Sequence, residues 1–380
     1  MGMRVTIAGG GTAGHVYPGL SLADALRSRS GYEVSFVGTA RGLENRVVPQ
    51  AGYPLDLITA LPMSRKVSLG SLRAPLAAGR AVMAARELLR AQGAQMVVGM
   101  GGYVSLPAIV AARLLGLPAL LHEQNAIPGL ANRIGARFTP HVAVTFESSA
   151  AFFPRRCRVR VTGNPVRAGI AELDRAAVRA EALRTLDLED RRRTLLVFGG
   201  SQGARRLNEA LIRATGLWRQ PRSLQIVHVC GAANLESVGR DWQEAVPGAR
   251  GLSVRWFGYV DRMDLAYSAA DLVVSRSGAT TVSEVSAVGL PAILVPYPFA
   301  TANHQEANAR ALESVGAARV LADSEVDADR LVEEVERVLG DEALLASMSV
   351  ASRAWGRPHA AEALAGYVEE IAFAGGRQEG

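Results

Sequence analysis

The sequence predicts an α/β protein of two Rossmann-like domains with a cleft between them. Three observations carry the prediction. Short β-branched or leucine-rich runs alternate with amphipathic helical stretches from end to end, the pattern of parallel sheets flanked by helices. Both halves open with a strand that runs into glycines, Gly9-Gly10-Gly11 and Gly199-Gly200. Between the halves, Gly163-Asn164-Pro165-Val166-Arg167 breaks the pattern as a domain boundary does. A chain of 380 residues is also too long for one small core. The expected domains are 1–164, 165–357, and a C-terminal helix over 358–380 that packs back on the first.

The strands expected in the first half are Arg4 to Ala8, Val34 to Val37, Leu55 to Ile58, Met96 to Gly99, Ala119 to His122 and Val142 to Val144. The second half repeats the arrangement with Thr194 to Phe198, Gln225 to Val229, Ser253 to Trp256, Leu272 to Ser275 and Ile293 to Val295. The uncharged run from Met96 to Ala112 is broken by Gly99, Gly101, Gly102 and Pro107, so it reads as strand, turn and helix and not as a membrane span.

Apolar residues make up 49% of the chain, which marks a globular protein. The net charge of +6 comes almost wholly from arginine, since Lys66 is the only lysine. It suits phosphorylated substrates or anionic lipid, and nucleic acid is not expected as a partner. Two distant cysteines, Cys157 and Cys230, suggest a reducing compartment without a disulfide frame or metal cluster.

The first glycine turn, Gly9 to Gly14, satisfies the dinucleotide pattern G-x-G-x-x-G. An NAD site would also need an acidic residue at the end of the second strand, and Glu33 lies at its wrong end. Arg41 could serve a 2′-phosphate, which keeps an NADP reading open. His15 stands where the following helix begins, either bonded to nearby backbone or acting as a general base. His122-Glu123-Gln124-Asn125 places four polar side chains at a strand end, as a ligand contact or as a turn in which Asn125 caps the next helix.

In the second half, Ser201 within Gly199-Gly200-Ser201-Gln202-Gly203-Ala204 could donate to a phosphate, but no Gly-Lys-Ser/Thr follows, so ATP hydrolysis is not expected. The segment Ser275 to Glu284 turns from strand to helix, with Gly278 permitting the turn. It offers helix-start N–H groups to a phosphate and Glu284 to a sugar diol. Gln305 begins a later helix at the same sheet edge. Asp327-Ala328-Asp329 reads as helix-start charge, and no metal site is expected. Lys66, Arg73 and Arg80 among Leu69, Leu72, Leu76 and Met83 mix basic and apolar residues, as a membrane-surface helix or as a core-packed helix with a solvated arginine face.

These segments, with Gly101-Gly102-Tyr103-Val104-Ser105 and the Gly163 to Arg167 motif, resemble the bacterial MurG family along nearly the whole chain. That family adds N-acetylglucosamine to undecaprenyl-diphosphate-linked N-acetylmuramoyl-pentapeptide, turning lipid I into lipid II in peptidoglycan synthesis. The resemblance implies a GT-B fold, an inverting transferase using UDP-N-acetylglucosamine, no cofactor, and a peripheral place on the cytoplasmic face of the plasma membrane beside other cell-wall synthesis proteins. By motif match, Glu284 would hold the ribose, Ser201 with Ala279 and Thr280 the diphosphate, Gln305 the sugar hydroxyls and the Val260 backbone the uracil. Asn125 and Arg167 would line the donor site. Thr12, Ala13, Gly14 and His15 would come to the reacting centre from the other domain. Tyr103, Lys66, Arg73 and Arg80 would serve the acceptor and membrane side.

His15 is the first candidate base and Glu123 the second. One departure is visible: the family commonly has Thr-Gly-Gly-His where this chain has Thr12-Ala13-Gly14-His15, tolerable if φ there is negative. The competing readings are a transferase with another lipid acceptor, a UDP-sugar-binding subunit that tethers a catalytic partner, and the NADP oxidoreductase.

Overall fold

The computed structural model describes residues 2–40, 42–59, 74–200 and 204–376. The chain divides into two compact units, Met1–Arg167 with His359–Gly380, and Ala168–Pro358.

The first unit runs β1 (Met3–Gly9), α1 (Ala13–Arg27), β2 (Tyr32–Gly38), α2 (Glu44–Gln50), β3 (Leu55–Leu57), α3 (Ala74–Ala91), β4 (Met96–Gly101), α4 (Gly102–Leu114), β5 (Ala119–Glu123), α5 (Leu130–Gly135), β6 (His141–Val144) and β7 (Arg158–Val161). Among the described residues its strands form one seven-stranded sheet in the order β3-β2-β1-β4-β5-β6-β7, with every pairing parallel. Helices cover both faces, so the central strands β4 and β5 are buried throughout and read as continuous apolar runs. The edge strand β7 escaped the sequence reading because its Arg-Val-Arg-Val alternation is too short and too polar to stand out.

The second unit runs α6 (Ala168–Ala171), α7 (Arg175–Thr185), β8 (Arg193–Phe198), α8 (Arg205–Arg213), β9 (Leu224–Val229), α9 (Leu235–Ala245), β10 (Ser253–Phe257), α10 (Met263–Ala269), β11 (Leu272–Ser275), α11 (Ala279–Ala287), β12 (Ala292–Leu294), α12 (His304–Ser314), β13 (Ala318–Val320), α13 (Ala328–Leu339) and α14 (Glu342–Trp355). Its sheet, β10-β9-β8-β11-β12-β13, repeats the strand order of the first. The three-residue β13 was also missed, being too short to carry a period. Asp327 caps α13 by accepting the Arg330 N–H at 2.8 Å, which accounts for the Asp-x-Asp pair as a helix start.

After the second unit the chain returns to the first as α15 (Ala360–Gly376). Leu364, Ala365, Val368 and Ile371 join the core cluster formed by α1, β1 and β2. Tyr367 Oη donates to the Arg158 carbonyl at 2.9 Å, and Arg160 grips Glu370 through two bonds of 2.8 and 2.7 Å. In doubly wound sheets of this order, ligands bind at the carboxyl ends of the strands where the order reverses. Those points are β1/β4 in the first unit and β8/β11 in the second.

Candidate active site

At the β1/β4 point, the Gly9–His15 turn faces the Gly101-Gly102 turn. Thr12 precedes α1 with extended backbone, yet its side chain does not cap the helix. Its Oγ1 lies 3.2 Å from His15 Nδ1, which is also 3.3 Å from the Gly10 carbonyl. A carbonyl oxygen only accepts, so the contact to Gly10 needs the proton on Nδ1. The ring rests on Gly101, whose φ is +91° and where a Cβ would come within 2.9 Å of His15 Cδ2. Only glycine meets both conditions.

The acidic residue sought at the end of β2 arrives from α2 instead. Glu44 is completely buried beneath the glycine turn. Its Oε2 accepts the Gly11 N–H, and its Oε1 accepts the Thr39 N–H and hydroxyl, each at 2.9 Å. A Cβ at Gly10 would collide with this carboxylate. The anion place of a dinucleotide fingerprint is thus filled by the chain itself, which removes the basis of the NADP reading. Arg41, on which that reading leaned, lies outside the described residues.

The His122–Asn125 motif is a packed support. His122 donates from Nε2 to the Gly163 carbonyl at 2.9 Å and accepts at Nδ1 from Gln124 Nε2 at 3.1 Å, so it is neutral with both nitrogens engaged. Burial lowers its pKa to about 4, against the bond to the Gly163 carbonyl, which raises it. Glu123 does not fit the role of second candidate base. It is 2% exposed, and it accepts from the Asn125 and Gly129 N–H groups and from the Asn125 and Asn132 amides at 2.9 to 3.3 Å. Burial raises its pKa while those four bonds oppose the rise. The carboxylate clamps its own turn and orients Asn125.

At the β8/β11 point, α11 begins at Ala279 behind Gly278, which has φ −61° and offers no side-chain cap. Gly278 permits the turn, but at that φ any residue could, and a Cβ there would meet nothing within 4 Å. Thr280 Oγ1 is buried without a hydrogen-bond partner beside this uncapped helix start. Donors and an unpartnered hydroxyl gathered at a helix N-terminus suit a phosphate. Glu284 lies just over a turn further in, 6% exposed, with Oε2 accepting the Tyr267 hydroxyl at 2.9 Å. Gln305 is held to the same edge, its Oε1 accepting the Tyr297 N–H at 2.9 Å and its carbonyl accepting the Ser277 hydroxyl at 2.8 Å. Val260 is half-buried in the turn after β10.

Residues 5–144 match the glycosyltransferase family 28 N-terminal domain, and residues 194–364 match its C-terminal domain. A UDP-N-acetylglucosamine--N-acetylmuramyl-(pentapeptide) pyrophosphoryl-undecaprenol N-acetylglucosamine transferase of Nocardioides sp. is 46% identical, covering 97% of this chain and 98% of its own. The protein of the same name from Halothermothrix orenii is 40% identical, covering 97% and 99%. Among solved structures, Acinetobacter baumannii MurG aligns at a TM-score of 0.76 and 31% identity over 97% of this chain and 99% of that one. The chain belongs to the MurG family. Its two Rossmann-like units are those of the GT-B fold.

Within the MurG-family motifs, the Ala13 departure is resolved. Ala13 is the first residue of α1 and is not among the residues of positive φ, so its methyl meets no backbone penalty. Arg167 lies over the Tyr17 ring, 5.7 Å from its centroid. Tyr103 is 49% exposed in the first turn of α4. Arg80 is exposed on α3 between Leu76 and Met83, themselves 61% and 47% exposed. Ser201, Lys66 and Arg73 lie outside the described residues. Among the described residues, no cluster of His, Cys, Asp or Glu could hold a metal, and no helix is long and apolar enough to cross a membrane.

Two residues of the site escaped the sequence reading. Glu44 is the first residue of α2 and reads as helix-start charge, and Tyr267 reads as an ordinary core aromatic. No spacing rule marks either one; only the folded chain brings them to the glycine turn and to Glu284.

Proposed function

We propose that the chain moves N-acetylglucosamine from UDP-N-acetylglucosamine to the 4-hydroxyl of undecaprenyl-diphosphate-N-acetylmuramoyl-pentapeptide, with inversion, so converting lipid I to lipid II. The observation that carries the reading is the full-length match to relatives named for this transfer, which covers 97–99% of the chain.

In this reading the acceptor hydroxyl attacks the anomeric carbon, the bond to the UDP oxygen breaks, and His15 Nε2 takes the hydroxyl proton. The protonated Nδ1 supports that assignment. The second unit holds the donor: the α11 N-terminus with Thr280, and Ser201, meet the diphosphate, Glu284 the ribose, Gln305 the sugar and the Val260 backbone the uracil. Charge developing on the leaving diphosphate is met by donors fixed before reaction begins. Asn125 and Arg167 complete the donor contacts, and Thr12, Ala13 and Gly14 shape the approach to His15. No step is assigned to a metal, and turnover should persist in a chelator.

The exposed Leu76, Arg80 and Met83 of α3 support peripheral binding at the cytoplasmic face of the plasma membrane, and Lys66, Arg73 and Tyr103 would serve the acceptor. There the enzyme would work beside other cell-wall synthesis proteins. The test is UDP release from UDP-N-acetylglucosamine with and without a short-chain lipid I analogue. Release that depends on the analogue supports the reading; UDP binding without release in its presence overturns the acceptor.

A further inference from the structure

We infer that Glu44 is a positioning residue for the transfer: its buried carboxylate fixes the peptide that orients His15. The inference rests on the reading of His15 as the base.

Glu44 Oε2 accepts the Gly11 N–H at 2.9 Å, and His15 Nδ1 bonds the Gly10 carbonyl at 3.3 Å. That N–H and that carbonyl are the two ends of one planar peptide. Rotating the plane would take the acceptor away from His15 and the donor away from Glu44 together. Gly11 has φ +88°, a region of backbone space in which glycine moves freely, so the sequence alone does not hold the plane in place.

Glu44 does hold it. The carboxylate is itself held at its other oxygen by the Thr39 N–H and hydroxyl at 2.9 Å each. The space around it is cleared by glycine at 10, 38 and 42: a Cβ at Gly38 would come within 2.6 Å of Glu44 Cγ, and one at Gly10 or Gly42 would overlap the carboxylate. Three glycines packed around one carboxylate are hard to explain as helix-surface chemistry.

The charge has a second effect. An anion bonded to the N–H end of a peptide polarises its carbonyl into a better acceptor. A better acceptor at Nδ1 stabilises the imidazolium that forms when Nε2 takes a proton. Glu44 thereby acts on the base through one peptide, in the orienting role that a third group plays toward a base and nucleophile.

Glu44→Gln keeps the shape but must turn an NH2 group toward N–H donors. With folding checked by thermal melting, kcat should fall roughly tenfold, a part of the 10²–10⁴ that a positioned general base supplies. The KM for UDP-N-acetylglucosamine and the affinity for UDP should stay at wild-type values, and the limb of the pH–kcat profile set by the base should move to lower pH. Simple loosening of the fold would not split kcat from KM or move that limb. If Glu44→Gln does not fold, Thr39→Val removes one donor that holds the carboxylate in place and should give a smaller kcat loss with KM unchanged. A wild-type kcat and pH profile in whichever variant folds overturns the inference. His15→Ala separates the two ideas. Turnover lost there but kept in Glu44→Gln refutes the positioning role alone, whereas turnover kept in His15→Ala refutes the base assignment itself.

Discussion

The Tyr267 hydroxyl donates to Glu284 Oε2 at 2.9 Å within the second unit. Both side chains are buried, and the bond ties a helix α10 aromatic to the carboxylate assigned to the donor ribose. Glu284→Ala should weaken UDP binding about 10- to 100-fold, the loss of hydrogen bonds to a charged group worth ~1.5–3 kcal/mol. Tyr267→Phe leaves the carboxylate but frees its rotamer, for a loss of about 1 kcal/mol. Calorimetric titration with UDP checks both. A wild-type dissociation constant for Glu284→Ala would refute the ribose role.

Glu123→Gln tests the clamp in the first unit. Asn125, Gly129 and Asn132 donate to that carboxylate, and an amide cannot accept from all of them. The first unit should lose about 2 kcal/mol in urea unfolding, with kcat per folded molecule largely kept. An unchanged unfolding midpoint with one limb of the pH–rate profile removed would restore Glu123 as the base.

Stability should fall on mild acidification. Burial lowers the pKa of His122 and of His228 from 6.5 to about 4. His228 accepts the Trp242 indole N–H at Nδ1 and donates from Nε2 to Asn208 Oδ1, each at 3.0 Å, so it too is held neutral. Below pH 6.5 the unfolded chain takes protons that the folded chain refuses, so ΔG of unfolding is full above that pH and declines toward pH 4. Each histidine contributes about 3 kcal/mol to the decline. Urea midpoints measured from neutral pH down to pH 4.5 check the sign; a flat profile would mean that neither ring is held neutral.

Ending the chain at Pro358 should unfold the first unit. It removes Leu364, Ala365, Tyr367, Val368 and Ile371 from a core that α1 and β1 otherwise leave open, at roughly 1.5–3 kcal/mol for each large apolar side chain. Calorimetry should show the first unit's transition lost while UDP binding by the second survives. An intact first transition would show that α15 is dispensable to the core.

Much of the fold was legible because both sheets are parallel and covered on two faces. Strands such as β4 and β8 become apolar runs, and the glycine turns follow them directly. Strands β7 and β13 were not legible, since an edge strand with alternating arginines and a three-residue strand carry too little pattern. The individual motifs at the switch points were visible for the same reason: the chain must turn sharply there and leave backbone donors exposed.

The sequence by itself determined the alternation of elements, the two glycine turns, the place of His15 and Glu284 in them, and the family. These are local properties, settled by residues a few positions apart. Only the tertiary structure decided which carboxylates stand ready for a ligand and which are already used. Glu123 spends both oxygens on its own turn, and Glu44 crosses from α2 to hold the Gly11 N–H, because burial obliges a charge to find donors wherever the packed chain offers them. Such partners lie up to 33 residues away in the chain, beyond the reach of any periodicity.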